Sequence, residues 1–85
     1  MRYYKSEVTN NGYNFLLEYD TGGPNGGDFT CWIYLNHKPL KDKQGYQVRR
    51  CFGNKYNTPN YYNFIKKFAT NADYRNQYLE NTFCK

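Results

Sequence analysis

Residues 3–20 read YYKSEVTNNGYNFLLEYD, and they predict the first two strands of a sheet. Asn11-Gly12 lies between two runs in which apolar and polar residues alternate. An Asn-Gly pair favours a two-residue turn in which both residues take positive φ. Partners across that turn have residue numbers that sum to 23, so Val8 pairs with Phe15. The apolar partners then share one face, as a half-buried antiparallel sheet requires.

Two further stretches alternate in the same way. FTCWIYLN at 29–36 predicts a third strand, and YQVRRCFG at 46–53 predicts a fourth. The segment between them, HKPLKDKQG at 37–45, is rich in polar and turn residues and is read as a basic loop. The glycine-rich stretch TGGPNGGD at 21–28 leads into a strand and carries Asp28, whereas a phosphate loop leads into a helix. We therefore expect a flexible, mildly acidic connection there.

The chain changes character after the fourth strand. Thr58 is a suitable N-cap with Pro59 at the first helical position. Apolar residues then follow helical spacing, and Thr70-Asn71 can cap a second, shorter helix; one bent helix is the alternative. The predicted fold class is α+β: a four-stranded antiparallel β-meander packed by one or two C-terminal α-helices (ββββα(α)). We expect a single domain over 1–85, with the sheet in 1–56 and the helical segment in 58–83.

Composition limits the class of protein. The 85 residues are 39% apolar but 21% aromatic, so a few large rings can build a small core. The N-terminus resembles no signal peptide, and no stretch approaches the roughly 20 apolar residues of a membrane span. We expect a cytoplasmic protein with no membrane partner. Abundant Asn, Lys and Tyr with few Ala residues are typical of AT-rich genomes, which include many phages.

Positive charge is concentrated in one part of the chain. The net charge is +5, but residues 38–67 alone carry +7 and residues 1–37 carry −2. A local excess of Lys and Arg is typical of a binding surface.

One face of the predicted sheet is the candidate binding site. The first helix is expected to cover the face lined by Val8, Phe15, Leu17, Phe29, Ile33, Leu35, Val48 and Phe52. The opposite face then shows Trp32, Tyr34 and Arg49, which are residue types enriched at binding hot spots. The predicted partner-binding residues are Trp32, Tyr34, Arg49, Lys38, Lys41, Lys43 and Lys55. The alternative is that Tyr78 and Phe83 fold over Trp32 and bury it.

The sequence offers little catalytic chemistry. His37 is the single histidine and lacks a recognisable partner, and Ser6, the single serine, falls on the apolar side of the first hairpin. A zinc site from Cys31, His37, Cys51 and Cys84 lacks the short Cys-x-x-Cys pair with which such sites usually begin. Alternation places Cys31 and Cys51 on opposite faces, so a disulfide between them is not expected. We predict no enzyme activity, no cofactor and no metal.

Arg50 is the exception in the fourth strand, because it falls among core-facing residues. A bare buried charge is costly, so we expect Arg50 to reach the sheet edge or to pair with an acid such as Asp20.

Three functions are compatible with these features. The first is a non-catalytic binding module, encoded by a phage or mobile element, that inhibits or modulates a host protein or nucleoprotein complex of the defence type. The second is a single-stranded nucleic-acid-binding protein that stacks bases on the aromatic sheet face within a basic rim. The third is a small RNase-like toxin that depends on His37. An open edge strand also allows a homodimer.

Overall fold

The predicted first hairpin is confirmed residue by residue. The computed structural model describes residues 3–20, 29–53 and 61–82. Strands β1 (Tyr3–Asn10) and β2 (Tyr13–Asp20) pair with Val8 opposite Phe15, which is the predicted register. Asn11 and Gly12 both have positive φ, 53° and 84°, as a two-residue turn of this kind needs. Local turn chemistry therefore sets which side chains face the core.

The third strand lies at the centre of a five-stranded antiparallel sheet. Strand β3 (Phe29–Leu35) pairs with β2 on one side. On its other side it pairs with the short strand β4 (Lys38–Pro39) and with β5 (Arg49–Gly53). The α+β class and the meander order are confirmed, and the two-residue strand β4 is additional.

The predicted fourth strand is shorter than expected because its first half pairs elsewhere. Ile33 on β3 forms backbone hydrogen bonds with both ends of the segment 40–48. Its carbonyl accepts a hydrogen bond from the Leu40 N–H, and its own N–H donates one to the Val48 carbonyl, both at 3.1 Å. Beyond it, Lys41 forms a bridge with Gln47. Residues 40–48 thus form a side hairpin, and β5 begins only at Arg49.

A buried carboxylate holds this side hairpin closed. Asp42 is 7% exposed, and its Oδ1 accepts the N–H groups of Gln44 at 2.9 Å and Tyr46 at 3.0 Å. Its Oδ2 accepts the N–H of Thr82 at 2.9 Å. These bonds, led by the one from Thr82, lower the pKa of Asp42. The segment read from sequence as a basic loop is therefore an ordered element tied to the C-terminal end of the helical layer.

Two helices cover one face of the sheet. Helix α1 (Tyr61–Thr70) and helix α2 (Ala72–Glu80) are separated by Asn71, whose side chain accepts the Tyr74 N–H as an N-cap. The sequence left one bent helix open, and the structure shows two. The predicted cap at Thr58-Pro59 and the 21–28 connection lie outside the described residues.

The core lies between the sheet and the helices. Rings of the two layers meet edge to face: Phe15 contacts Phe64 and Phe68 at centroid distances of 6.3 and 5.8 Å. Of the residues expected on this face, Leu35 is 37% exposed, because β3 ends there and turns away. The buried apolar residues are Phe15, Leu17, Phe29, Cys31, Ile33, Val48, Phe52, Phe64, Ile65, Phe68, Ala69 and Tyr78.

Candidate partner-binding face

The sheet face opposite the helices is called the outer face. Its central row runs across four strands, from Glu7 on β1 through Leu16 and Trp32 to Arg49 on β5. Leu16, Trp32 and Arg49 are all partly exposed. The pairing registers also place these residues on the outer face: Lys5, Thr9, Asn14, Glu18, Thr30, Tyr34 and Cys51.

Trp32 and Arg49 form the centre of the site. The guanidinium carbon of Arg49 lies 5.2 Å from the centre of the Trp32 ring, within the range of a cation–π contact. At a partly exposed position such a contact contributes about 0.5–1 kcal/mol. It restricts the indole before any partner arrives, which reduces the entropy lost on binding.

The helices do not cover Trp32. Tyr78 is 2% exposed and packs against Phe64 and Phe68, with ring centroids at 5.5 and 5.9 Å, on the other side of the sheet. The alternative in which Tyr78 buries Trp32 is therefore wrong. Phe83, the second residue of that alternative, lies outside the described residues. Trp32 retains a partly exposed surface beside Leu16 and Tyr34.

A shallow depression of about 140 Å³ extends this face beyond Trp32. It is lined by Glu7, Asn14, Leu16, Tyr34 and His37. Asn14 is 3% exposed: its side-chain oxygen accepts the His37 N–H at 2.7 Å, and its amide donates to the Thr9 hydroxyl at 3.1 Å. The turn that carries His37 is thereby fixed on β2, although His37 takes a φ of 66° that glycine adopts more readily.

His37 has a carboxylate nearby, which the sequence did not indicate. Its Nδ1 lies 3.8 Å from Glu7 Oε1, and the two side chains are 78% and 50% exposed. That separation exceeds a hydrogen bond, and water screens a pair so exposed. Ser6 belongs to the opposite side of β1. The geometry supplies a polar rim for the depression rather than an aligned proton-transfer pair.

The predicted lysines occupy different sides of the molecule. Lys38 lies opposite Leu35, and Lys41 is exposed on the side hairpin opposite Gln47. Lys43 forms an ion pair with Glu80 at the end of α2. Lys55 lies outside the described residues. The structure thus brings Trp32, Tyr34 and Arg49 together on the outer face and directs Lys43 to the helical layer.

Arg50 projects into the core. It donates a hydrogen bond to the Tyr78 hydroxyl at 2.6 Å, and its guanidinium carbon lies 5.2 Å and 5.5 Å from the ring centres of Phe52 and Phe64. Its Nε is buried without a hydrogen-bond partner in the described part of the chain. A phenol and two ring faces therefore surround this cation, where the sequence suggested either the sheet edge or a pair with an acid such as Asp20. The side chain of Asp20 is not described.

The cysteines are separated as predicted. Cys31 is buried opposite Arg50, Cys51 is exposed opposite Thr30, and both are free thiols. Burial raises the pKa of the Cys31 thiol well above its ordinary value, although Arg50 partly opposes that shift. Cys84 lies outside the described residues. Within 3–20, 29–53 and 61–82, no three His, Cys, Asp or Glu side chains cluster as metal ligands.

The depression was missed by sequence reasoning because it depends on the Asn36–His37 turn. Both residues have positive φ, 50° and 66°, and they join β3 directly to β4. Asparagine tolerates this conformation, so Asn36 was the available signal. A search of protein families, of characterised proteins and of solved structures found no significant match to this chain. No helix in the described ranges has both the length and the apolar character to cross a bilayer.

Proposed function

We propose that this protein is a non-catalytic binding module that holds a protein partner on its outer face. One observation carries the proposal: Leu16, Trp32 and Tyr34 form an aromatic and aliphatic centre that neither described helix covers. An apolar centre rimmed by polar groups is the usual composition of a protein interface. Arg49 at the Trp32 ring adds a second residue type that is common at hot spots.

The charges of the outer face favour protein over nucleic acid. Lys5 and Arg49 are balanced there by Glu7 and Glu18, so the described residues of this face carry no excess of positive charge. Single-stranded nucleic acid would meet both carboxylates beside the aromatic centre, and phosphates are repelled by them. A protein partner can complement both signs.

Among the described residues of 38–67, the cations do not form one continuous patch. Arg50 lies in the core, Lys43 pairs with Glu80, and Lys67 lies 4.7 Å from the Tyr74 ring centre in the helical layer. The local excess seen in sequence is distributed around the domain. This distribution weakens the nucleic-acid alternative and leaves the outer face as the strongest candidate.

The AT-rich composition extends the proposal to a biological setting. We propose a phage or mobile-element protein that inhibits or modulates a host protein or nucleoprotein complex of the defence type in the host cytoplasm. Compositional bias is the support for this part, and the outer face is the surface that would contact the host complex.

An affinity pull-down from bacterial lysate, read by quantitative mass spectrometry, tests the proposal. Trp32→Ala should release a partner that the wild type retains, because truncating a hot-spot residue costs about 2 kcal/mol or more, or roughly thirtyfold in Kd. Tyr62→Ala is the matched control, since Tyr62 is 62% exposed on α1, away from the outer face. Recovery of the same partner by Trp32→Ala, with its circular dichroism unchanged, would remove the outer face from consideration.

Direct binding of single-stranded nucleic acid is the second candidate, because Arg49 lies at the Trp32 ring and Lys41 is exposed on the side hairpin that leads into β5. It predicts a salt dependence that the first candidate does not. Three contacts, from Lys38, Lys41 and Arg49, give a slope of log K against log salt of about −2 for a single strand. Fluorescence anisotropy with labelled oligo-dT and oligo-U measures this slope, and absence of binding at low salt would eliminate the candidate.

A further inference from the structure

Glu7 gives the depression beside Trp32 a negative charge on its β1 side. The side chain of Glu7 is 50% exposed, and it lines the depression from β1. In the described part of the chain, no lysine or arginine nitrogen lies within 4 Å of this carboxylate. His37 Nδ1, at 3.8 Å, is too distant for a hydrogen bond. The carboxylate is therefore available to a cation from outside the chain.

The other groups that line the depression suit a cation with an apolar stem. Leu16 and Tyr34 are partly exposed and supply an aliphatic and an aromatic surface. An aromatic ring attracts a cation through its face, whereas a carboxylate repels an anion. Asn14 is 3% exposed and its amide donates to the Thr9 hydroxyl, so little of this amide can reach a ligand. The lining thus favours a cation over an anion.

The size of the depression indicates a single side chain. Its volume is about 140 Å³, well below the roughly 300 Å³ at which small-molecule pockets begin. It also adjoins the apolar centre formed by Leu16, Trp32 and Tyr34, because Leu16 and Tyr34 belong to both. A side chain in the depression would therefore come from the same molecule that covers Trp32.

We propose that the depression receives an arginine side chain of the protein partner, an inference that rests on the proposed function because it assumes a protein on the outer face. A planar guanidinium can donate two parallel hydrogen bonds to the Glu7 carboxylate and stack on the Tyr34 ring. Its methylene stem would pack against Leu16. A lysine suits the site less well, because its ammonium is a compact and strongly hydrated charge.

The sheet also sets the spacing on the partner's surface. Glu7, Leu16 and Trp32 lie opposite one another in a row across β1, β2 and β3. Two strand spacings, about 10 Å, therefore separate the strand of Glu7 from the strand of Trp32. The partner that fits this face has an arginine within about 10 Å of the apolar residue that covers Trp32.

An NMR titration of the ¹⁵N-labelled protein tests the arginine site with two small probes. The probes are N-acetyl-arginine amide and N-acetyl-citrulline amide, which has nearly the same shape but no charge. The arginine probe should shift the signals of Leu16, Tyr34 and His37, and it should bind about fivefold or more tightly than citrulline, because it gains an ion pair and a cation–π contact. Absence of saturable shifts up to about 50 mM arginine probe would overturn the inference.

Two variants assign the preference to one carboxylate. Glu7→Gln keeps the size of the side chain and should reduce the preference for arginine to about twofold or less. Glu18→Gln removes another carboxylate of the outer face, opposite Thr30, and should leave the preference unchanged. Equal binding of the two probes to the wild type, or an unchanged preference in Glu7→Gln, would refute the arginine site.

The two proposals can fail separately. If the probes show no preference while Trp32→Ala still releases the partner in the pull-down, the arginine site is wrong and the outer face stands as the binding surface. If Trp32→Ala retains the partner, the proposed function fails, and with it the assignment of the arginine to a protein that covers Trp32.

Discussion

Thr82→Val removes the hydroxyl that closes the β5 edge while it keeps the shape of the side chain. Thr82 is 5% exposed, and its hydroxyl makes two hydrogen bonds to Arg49, at 3.0 and 3.1 Å. Each bond contributes about 0.5–1.5 kcal/mol net, so the free energy of unfolding should fall by about 1–3 kcal/mol. For a domain of this size, that loss lowers the Tm by at least about 4 °C.

Urea unfolding followed by Trp32 fluorescence and circular dichroism measures the change. The midpoint should fall while the m-value stays constant, because the native fold is retained. Hydrogen exchange at the Arg49 amide should become faster, since its acceptor is lost.

Two variants separate the hydroxyl from other effects. Thr82→Ser keeps the hydroxyl and should recover most of the loss. Thr70→Val removes an exposed hydroxyl that donates to the Lys66 carbonyl at 2.6 Å, and it should change stability by about 0.5 kcal/mol or less. If Thr82→Val costs no more than Thr70→Val, the hydroxyl does not hold the β5 edge and the reasoning fails.

Three further perturbations have defined outcomes. Asn71→Ala removes the N-cap of α2 and should cost about 1 kcal/mol in urea unfolding, whereas Asn76→Ala on the exposed surface of α2 should cost nothing; equal losses would contradict the capping role. Asp42 has a lowered pKa, so its stabilisation is present above the ordinary Asp value of about 3.9 and is lost as pH falls through the folded pKa. Asp42→Asn should therefore be less stable at pH 7, and its free energy of unfolding should fall less steeply as the pH is lowered. A fall as steep as that of the wild type would contradict this role of Asp42. Burial raises the pKa of Tyr74 to about 12, so stability should fall as pH rises from about 10 to 12, and Tyr74→Phe should reduce that fall in alkaline unfolding scans.

Sequence reasoning succeeded where structure is set by neighbouring residues. The Asn11-Gly12 turn fixed the β1–β2 register, and Asn71 marked the start of α2, because turn and cap chemistry act within a few residues. The aromatic outer face was also placed correctly, since alternation along β3 separates Trp32 from Ile33.

Long-range contacts explain what sequence reasoning missed. The strand predicted over 46–53 begins at Arg49 because Asp42 accepts N–H groups from Gln44 and Tyr46 and from Thr82, and the last of these lies 40 residues away. In the same way, the residues that line the depression beside Trp32 come from β1, β2, β3 and the turn after β3. Alternation along a strand predicts on which face of the sheet a side chain lies, but it does not predict which distant segment packs against that face.

The bonds from Thr82 also set an order of events during synthesis. The β1–β2 hairpin closes across two residues, so it can form as soon as the ribosome has released residue 20. Thr82 reaches Arg49 across 33 residues and Asp42 across 40, so its bonds to both residues form only after residue 82, beyond the end of α2, has emerged. Throughout that interval the Arg49 backbone lacks its bonds from Thr82. A chain truncated before Thr82 would keep that state permanently and would tend to aggregate through β5.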